Sequence, residues 1–337
     1  MSMNPPANPS HGAVAVVIPS YKVTRHILGV IAGIGPEVAR IYVVDDKCPD
    51  GSGAFVRDNC RDPRVVVIEH AQNQGVGGAV MTGYRAAIQE GAAVIVKVDG
   101  DGQMDPALLG HFVRPIAEGR ADYTKGNRFF LIESLKAMPA IRIFGNAGLS
   151  FLSKISSGYW HIFDPTNGYT AIHANVAAIL PYDKIDRRYF FETDMLFRLN
   201  TLRSVVLDIP MVAHYGEEVS NLNILAELPR FFVKNLKNIA KRLFYNYFLR
   251  DFSVASIELI LGVISVTFGV VYGLDAWSYH SATMTFASSG TVMLAGLPVI
   301  VGTQLVLSFL NYDMSNQPRE PIHPKLSPPV REPQSSH

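Results

Sequence analysis

Polar and apolar positions alternate with two periods along the first 220 residues. Short β-branched runs at Val14–Ile18, Ile41–Val44, Val65–Ile68, Val94–Val98 and Val205–Ile209 read as strands. Helical spacing falls between them, over Thr24–Ala32, Gly77–Gln89 and Pro106–Ala117. This alternation predicts an α/β domain over residues 13–222, a mostly parallel sheet with helices on its faces. Ligands of such sheets bind beyond the carboxyl ends of the strands.

The pattern changes after residue 222. Leu225, Leu228, Phe232, Leu236, Ile239, Leu243 and Tyr247 step by three or four, and Lys234, Lys237 and Lys241 form a second stripe. Residues 223–252 therefore read as amphipathic helix, suited to an anionic membrane surface or to the flank of a globular domain. Within 253–311 lie two apolar segments, Val254–Leu274 and Phe286–Leu310, with Glu258 near the start of the first. Each is long enough to span a bilayer, and neither has a polar face to show water. Residues 228–250 carry six Lys or Arg and no acid, whereas the link Asp275–Thr285 carries no Lys or Arg. The positive-inside rule then predicts a multi-pass protein of the inner (plasma) membrane, with the α/β domain and both termini cytoplasmic. Residues 1–12, and the proline-rich stretch 312–337, are expected to be disordered.

Composition narrows the class. Hydrophobic residues make 48% and charged residues 18%, below the ~25% usual in soluble domains. This excludes a disordered chain. Cys48 and Cys60 are the only cysteines, which excludes a disulfide scaffold. Thirty basic against 29 acidic residues, a net charge of +1, argues against a nucleic-acid partner. The first apolar run is five residues long, too short for the core of a signal peptide.

Three strand ends carry chemistry. The first is followed by Pro19-Ser20-Tyr21, the second by Asp45-Asp46 and the fourth by Asp99-Gly100-Asp101-Gly102-Gln103. One acidic strand end is usually a turn or a cap, but three in succession suit a base, a ribose and a metal. Extended backbone puts Asp99 and Asp101 on one side, and hard oxygen ligands suit Mg²⁺ or Mn²⁺ held with substrate phosphates. The turn Asn73–Ala79 opens a helix, but its glycines, 75, 77 and 78, lack dinucleotide spacing. Glu192 and Asp194 either place substrate hydroxyls or simply open a helix with acids in its first turn. His214-Tyr215 lines an acceptor mouth or packs in the core.

The ordered set Pro19-x-Tyr21, Asp45-Asp46, Asn73-x-Gly75-x-Gly77-x-Ala79, Asp99-x-Asp101-x-Gln103, Gly126-Asn127-Arg128, Arg142 and Asp164-Pro-Thr-Asn-Gly-Tyr169 resembles the family 2 glycosyltransferases with the GT-A fold. The nearer likeness is to the polyprenyl-phosphate glycosyltransferases, and it covers about residues 13–215. The resemblance implies a nucleotide-sugar donor, a polyprenyl phosphate acceptor and a divalent metal. Pro19, Tyr21 and Asp46, with Asp45 and Gly75 beside them, would hold the nucleotide. Asp99, Gly100, Asp101 and Gln103 would hold metal and diphosphate. Arg128 and Arg142 would clamp phosphates, and Asp164 would sit by the sugar or acceptor. Lys22-Val23 stands where the family usually has Asn-Glu, so a carboxylate near the nucleotide is missing. A UDP-glucose-like donor is expected first and GDP-mannose second.

Other readings remain distinct. A processive polysaccharide synthase normally carries Q-x-x-R-W, and neither Trp160 nor Trp277 ends such a motif. A transferase to a non-lipid acceptor would use the membrane segments for anchoring alone. An inactive membrane scaffold would have no use for Asp99, Asp101, Arg128 and Arg142. Self-association stays open.

Overall fold

The computed structural model describes residues 13–130, 140–211 and 224–327, with side chains omitted at 140–147 and 224–227. His214 and Tyr215 lie outside the described residues. Seven strands form one sheet in the order β3-β2-β1-β4-β6-β5-β7. They are β1 Val14–Ser20, β2 Val38–Asp45, β3 Val65–Glu69, β4 Val94–Lys97, β5 Tyr123–Asn127, β6 Thr170–His173 and β7 Val206–Pro210. The first four are parallel, β6 runs antiparallel to both β4 and β5, and β7 pairs parallel with β5. The chain order reverses beside β1, where β2 and β3 lie to one side and β4 to the other. Such a switch point opens a crevice at the strand ends.

The period of two along β1 explains its place at the centre. Val14, Val16 and Ile18 enter one core, while Ala15 and Val17 enter the other. Among the described residues seven α-helices pack around the sheet: α1 Ile27–Gly33, α2 Ser52–Asn59, α3 Val76–Gln89, α4 Leu109–Ala117, α5 Ala140–Ser157, α6 Ala174–Ala178 and α7 Phe191–Thr201. The five expected strands are present. Strands β5 and β6 were not expected, because Thr124, Lys125, Asn127 and Thr170 are polar yet buried.

By its contacts the chain divides into two units, Met1–Asn238 with Pro318–His337, and Ile239–Gln317. Helix α8, Ile224–Phe244, was expected to turn its apolar stripe to a membrane surface. Its buried positions are Phe231, Asn235, Asn238 and Arg242, three of them polar, while Leu228, Phe232, Val233 and Leu236 are exposed. In the first unit Asn238 donates to Asp194 (3.0 Å), Lys234 pairs with Asp186 (2.5 Å) and Asn235 accepts from Ser156 (2.5 Å). Protein thus covers the polar side, and the apolar side is left outward.

In the second unit, α9 (Val254–Ala282) and α10 (Ser289–Ser315) are long and apolar enough to cross a membrane. Only 22% and 11% of their most apolar windows are buried, unlike the core helices of a soluble protein. Both run beyond the segments expected from hydropathy. Glu258 accepts from Ser308 (2.9 Å) on the partner helix. Arg242, 2% exposed, makes two bonds to Asp313 (2.6 and 2.9 Å), and Asp313 also accepts from the Tyr247 hydroxyl (2.5 Å).

The expectation of a disordered 312–337 fails for its described part. Residues 312–315 finish α10, and the following segment docks on the first unit. The fully buried Asp122 carboxylate accepts from the amides of Val205 (2.8 Å), Ile322 (3.0 Å) and His323 (2.9 Å), and bonds to His323 Nδ1 (2.8 Å). His323 stacks on His173 at 4.2 Å, and Ile322 and Leu326 pack on the core. A buried carboxylate needs donors, and this segment provides most of them. Burial works against the Asp122 charge, but these bonds outweigh it and hold its pKa low.

Two stability outcomes follow. His323→Ala removes a bond to a buried carboxylate, about 2 kcal/mol, and should lower Tm by about 4–8 °C in a detergent thermal scan. Burial and the neighbouring His323 lower the His173 pKa to about 4, against about 6.5 when unfolded. The unfolded chain then binds the extra proton, so this stability is complete above about pH 6.5 and is lost as pH falls towards 4. His173→Asn keeps a cap acceptor for the Asn175 amide and should flatten that decline.

Candidate active site

The sheet's carboxyl edge gathers most of the expected residues. Pro19, next to last in β1, is in register with Val44, and Tyr21 just beyond the strand is 45% exposed, with the Lys22 ammonium 5.7 Å from its ring. The Lys22 amide bonds to Cys48 Sγ (3.1 Å), tying this loop to the one after β2.

Asp45 and Asp46 are not open to a ligand as expected. Asp45 accepts from the amides of Cys48 (2.7 Å) and Gly53 (2.5 Å), which fixes the entry to α2. Asp46 accepts from the amides of Gln74 and Gly75 (both 2.7 Å) and bonds to His70 Nδ1 (2.8 Å). Both are buried, so they brace the loops after β2 and β3 from beneath. Gly75 has φ +85°, and a Cβ there would strike the Arg187 carbonyl. The turn needs glycine for its shape.

Asp99 and Asp101 stand where β4 ends, with Gly100 pressed against Val23 and Ile18. Asp101 accepts from the Gln103 amide (3.0 Å), and Gly102 takes φ +78° to close that turn. Asp99 Oδ1 lies 2.8 Å from the Lys97 ammonium but accepts no well-directed hydrogen bond. Among the described residues no cluster of three or more His, Cys, Asp or Glu side chains forms a closed metal cage. Two carboxylates at a strand end instead fit Mg²⁺ or Mn²⁺ taking its other ligands from substrate phosphates and water.

Beneath them lie two lysines that the sequence reading missed. Lys97, fully buried, contacts Asp99, Glu192 (3.1 Å) and the Gly168 carbonyl (3.1 Å). Burial opposes its charge, but the Asp99 and Glu192 carboxylates outweigh this and raise its pKa. Lys125, equally buried, donates to the Asn167 carbonyl. Burial lowers its pKa to about 8, with Glu192 and Asp164 working against the fall. Both lysines face Thr170 across β6, one from each neighbouring strand. Only that pairing brings them together, so no local motif announces them.

The lysines hold two successive carbonyls of the turn that begins at Asp164. Asp164 is itself fully buried and grips Arg128 by two bonds, Nε to Oδ2 (2.7 Å) and Nη2 to Oδ1 (3.0 Å). The Asp164 carboxylate, expected by the sugar or the acceptor, orients the Arg128 guanidinium. Arg142 falls in the first turn of α5, and its side chain is outside the described residues.

Glu192 and Asp194 part company on α7. Glu192 turns to Lys97 under the site. Asp194 accepts from the Asp186 amide (2.9 Å) and Asn238, away from the site, and burial raises its pKa. Asp194 therefore anchors α8.

These features gather two carboxylates and a locked guanidinium at the carboxyl edge of an α/β sheet. Residues 15–178 match the sequence model of Glycosyl transferase family 2, so the chain carries a glycosyltransferase domain of that family. It is 27% identical over 218 residues to the UDP-N-acetylglucosamine–dolichyl-phosphate N-acetylglucosaminyltransferase of Methanococcus voltae, covering 60% of this chain and 86% of that one. It is 29% identical to the undecaprenyl-phosphate mannosyltransferase of Micrococcus luteus, over 59% of this chain and 82% of the other. Polyprenol monophosphomannose synthase of Mycolicibacterium smegmatis is also 29% identical, over 58% and 75%. Glucosyl-3-phosphoglycerate synthase of Mycobacterium tuberculosis, solved with Mn²⁺, UDP and phosphoglyceric acid, superposes with a TM-score of 0.52 at 16% identity, over 68% of this chain and 78% of that one. Mannosyl-3-phosphoglycerate synthase of Rubrobacter xylanophilus gives 0.52 at 17% identity, over 72% and 77%. The fold is GT-A, and the protein is a glycosyltransferase.

The geometry sorts the carboxylates by consequence. Asp101→Asn should lower turnover by roughly 10²–10³-fold, the scale of one lost electrostatic stabiliser. Asp194→Asn should cost less than about tenfold, because an amide oxygen can still accept the Asp186 amide. Steady-state rates of the two variants, with thermal scans to control for folding, check the division.

Proposed function

We propose that the protein is a membrane-anchored, inverting transferase that moves a hexose from a nucleotide sugar to a polyprenyl phosphate. The observation that carries this reading is Arg128, fixed by a buried carboxylate whose turn meets Asp99 at Gly168. A locked guanidinium suits a phosphate that must be held in one orientation. The three relatives above support the acceptor, since each is named for a dolichyl, undecaprenyl or polyprenol phosphate product or substrate. Their names differ in the sugar. A UDP-glucose-like donor is our first choice and GDP-mannose the second.

In this reading Tyr21 and Pro19 carry the base, over the scaffold of Asp45, Asp46 and Gly75. Asp99 and Asp101, with Gln103 beside them, would hold Mg²⁺ or Mn²⁺, which would offset the charge of the diphosphate. Arg128, with Arg142, clamps phosphate and keeps the two anionic substrates from repelling each other. The acceptor's second pKa is near ~6, so its phosphate is largely dianionic at pH 7 and needs little help from a base. A phosphate oxygen attacks C1 of the sugar, and a new C1–O bond forms on the opposite face. The bond from C1 to the diphosphate breaks, and the nucleoside diphosphate leaves with the electron pair. Glu192 stays a positioning carboxylate, because its partner is a buried ammonium.

The test is a donor screen with purified full-length protein, undecaprenyl phosphate and a divalent cation. The expected product is chloroform-extractable, mild-acid-labile sugar from one nucleotide-sugar class. Arg128→Ala should abolish most of it, and Arg128→Lys should restore only part, since an ammonium lacks the planar fork. Equal transfer to polyprenol lacking its phosphate would rule out the phosphate as nucleophile.

A further inference from the structure

We infer that Asp208, on the edge strand β7, is a positioning residue for the phosphate clamp: its carboxylate sets the aim of Arg128 by holding both chain segments that carry the Arg128–Asp164 pair. This rests on Arg128 meeting substrate phosphate, as proposed above. A guanidinium directs its donors in one plane, so a small turn of the backbone behind it moves the whole fork. What holds that backbone therefore bears on the reaction.

Asp208 Oδ2 accepts from the Asn127 side-chain amide and from the Phe163 backbone amide, each at 3.0 Å. Asn127 directly precedes Arg128, and Phe163 directly precedes Asp164. One oxygen thus ties together the residues behind each member of the ion pair. Asn127 is buried, and its Oδ1 accepts from the Phe129 amide (3.0 Å), so this side chain brackets Arg128 from both sides. The ladder of β5 with β7 ends at Asn127 and Pro210, and the Met211 amide closes it on the Asn127 carbonyl (3.2 Å). Arg128 is the next residue, just past the ladder.

Lys125 of β5 stands in register with Asp208, and residues so paired share a face of the sheet. Lys125 donates to the Asn167 carbonyl, so the segment 163–167 is gripped at one end by Asp208 and at the other by Lys125. Asp164 lies between the two grips. Asp208 itself is poorly served by its place. Burial raises its pKa, with the Phe163 amide, Lys125 and His161 opposing the rise, and Oδ1 is buried and accepts no hydrogen bond. A carboxylate kept where burial opposes its charge, with one oxygen unpaired, is not accounted for by stability. Both of its bonds serve the Arg128–Asp164 pair.

The experiment is a double-mutant cycle in full-length protein, read as kcat/KM for undecaprenyl phosphate. Asp208→Ala should lower it by roughly ten- to a hundredfold, the scale of a group misplaced by about 1 Å. Asp208→Asn should recover most of the loss, since an amide oxygen accepts the same two bonds. In an Arg128→Lys background, Asp208→Ala should cost less than about twofold more, because the guanidinium it positions is gone. A general folding defect would instead cost the same in both backgrounds. Equal losses in the two backgrounds, an alanine variant as active as wild type, or an asparagine variant no better than alanine would overturn the role. If Asp208→Ala does not fold, Asn127→Ala takes its place in the cycle. It cuts one of the two bonds and leaves the carboxylate, and an unchanged rate or an equal loss in both backgrounds overturns the role as well. Wild-type protein that transfers sugar to no polyprenyl phosphate refutes the acceptor reading, and the role with it. A failed cycle in active wild-type protein refutes the role alone.

Discussion

Two ammonium groups buried under one turn set the geometry of the catalytic end. Lys97 and Lys125 point from strands on either side of β6 and hold the carbonyls of Gly168 and Asn167. A Cβ on Gly168 would overlap both the Asp99 carboxylate and the Lys97 ammonium, so the turn closes on them as tightly as backbone can. Buried ion pairs add little net stability over apolar packing, but leaving one charge unpaired costs several kcal/mol. The arrangement is therefore all or nothing. With both lysines in place, the turn fixes Asp164, Asp164 fixes Arg128, and Lys97 fixes Asp99.

The same logic separates buried carboxylates held by protein from those left at the sheet's open edge. Asp45, Asp46, Asp164 and Asp194 accept two or more bonds each from protein and are buried. Asp101 sits at the site's edge, and its bond to the Gln103 amide shapes the turn that presents it. Acids at strand ends are thus distributed between a preorganised frame and the chemistry, and preorganisation is where electrostatic catalysis draws its strength.

A second constraint sets which face of α8 is left outward on the first unit. Helix α8 spends its polar side on Ser156, Asp186 and Asp194, the last on the helix that carries Glu192. Phe232, Val233 and Leu236 are left outward because the polar side is already occupied. The segment after α10 returns to the first unit through Asp122, so that unit is assembled from both sides of the apolar hairpin.

The sequence by itself determined the α/β class, five strands and the two long apolar helices. Each rests on a period or a run that local burial imposes on neighbouring residues. It also marked Tyr21, Asp99 and Asp101 at strand ends, and the family resemblance singled out Arg128. Tertiary structure alone decided the rest. Strands β5 and β6 are rich in buried Lys, Thr and Asn, so they carry no apolar alternation, and their polarity makes sense only with partners from distant strands. Lys97 and Lys125 lie 28 residues apart and meet only across β6. Asp46 and Asp164 read as ligand-facing until the amides and the guanidinium that claim them are in place. His323 comes within reach of Asp122 across 201 residues. Periodicity reports which way a side chain faces, whereas the partner of a buried charge is set by the whole fold.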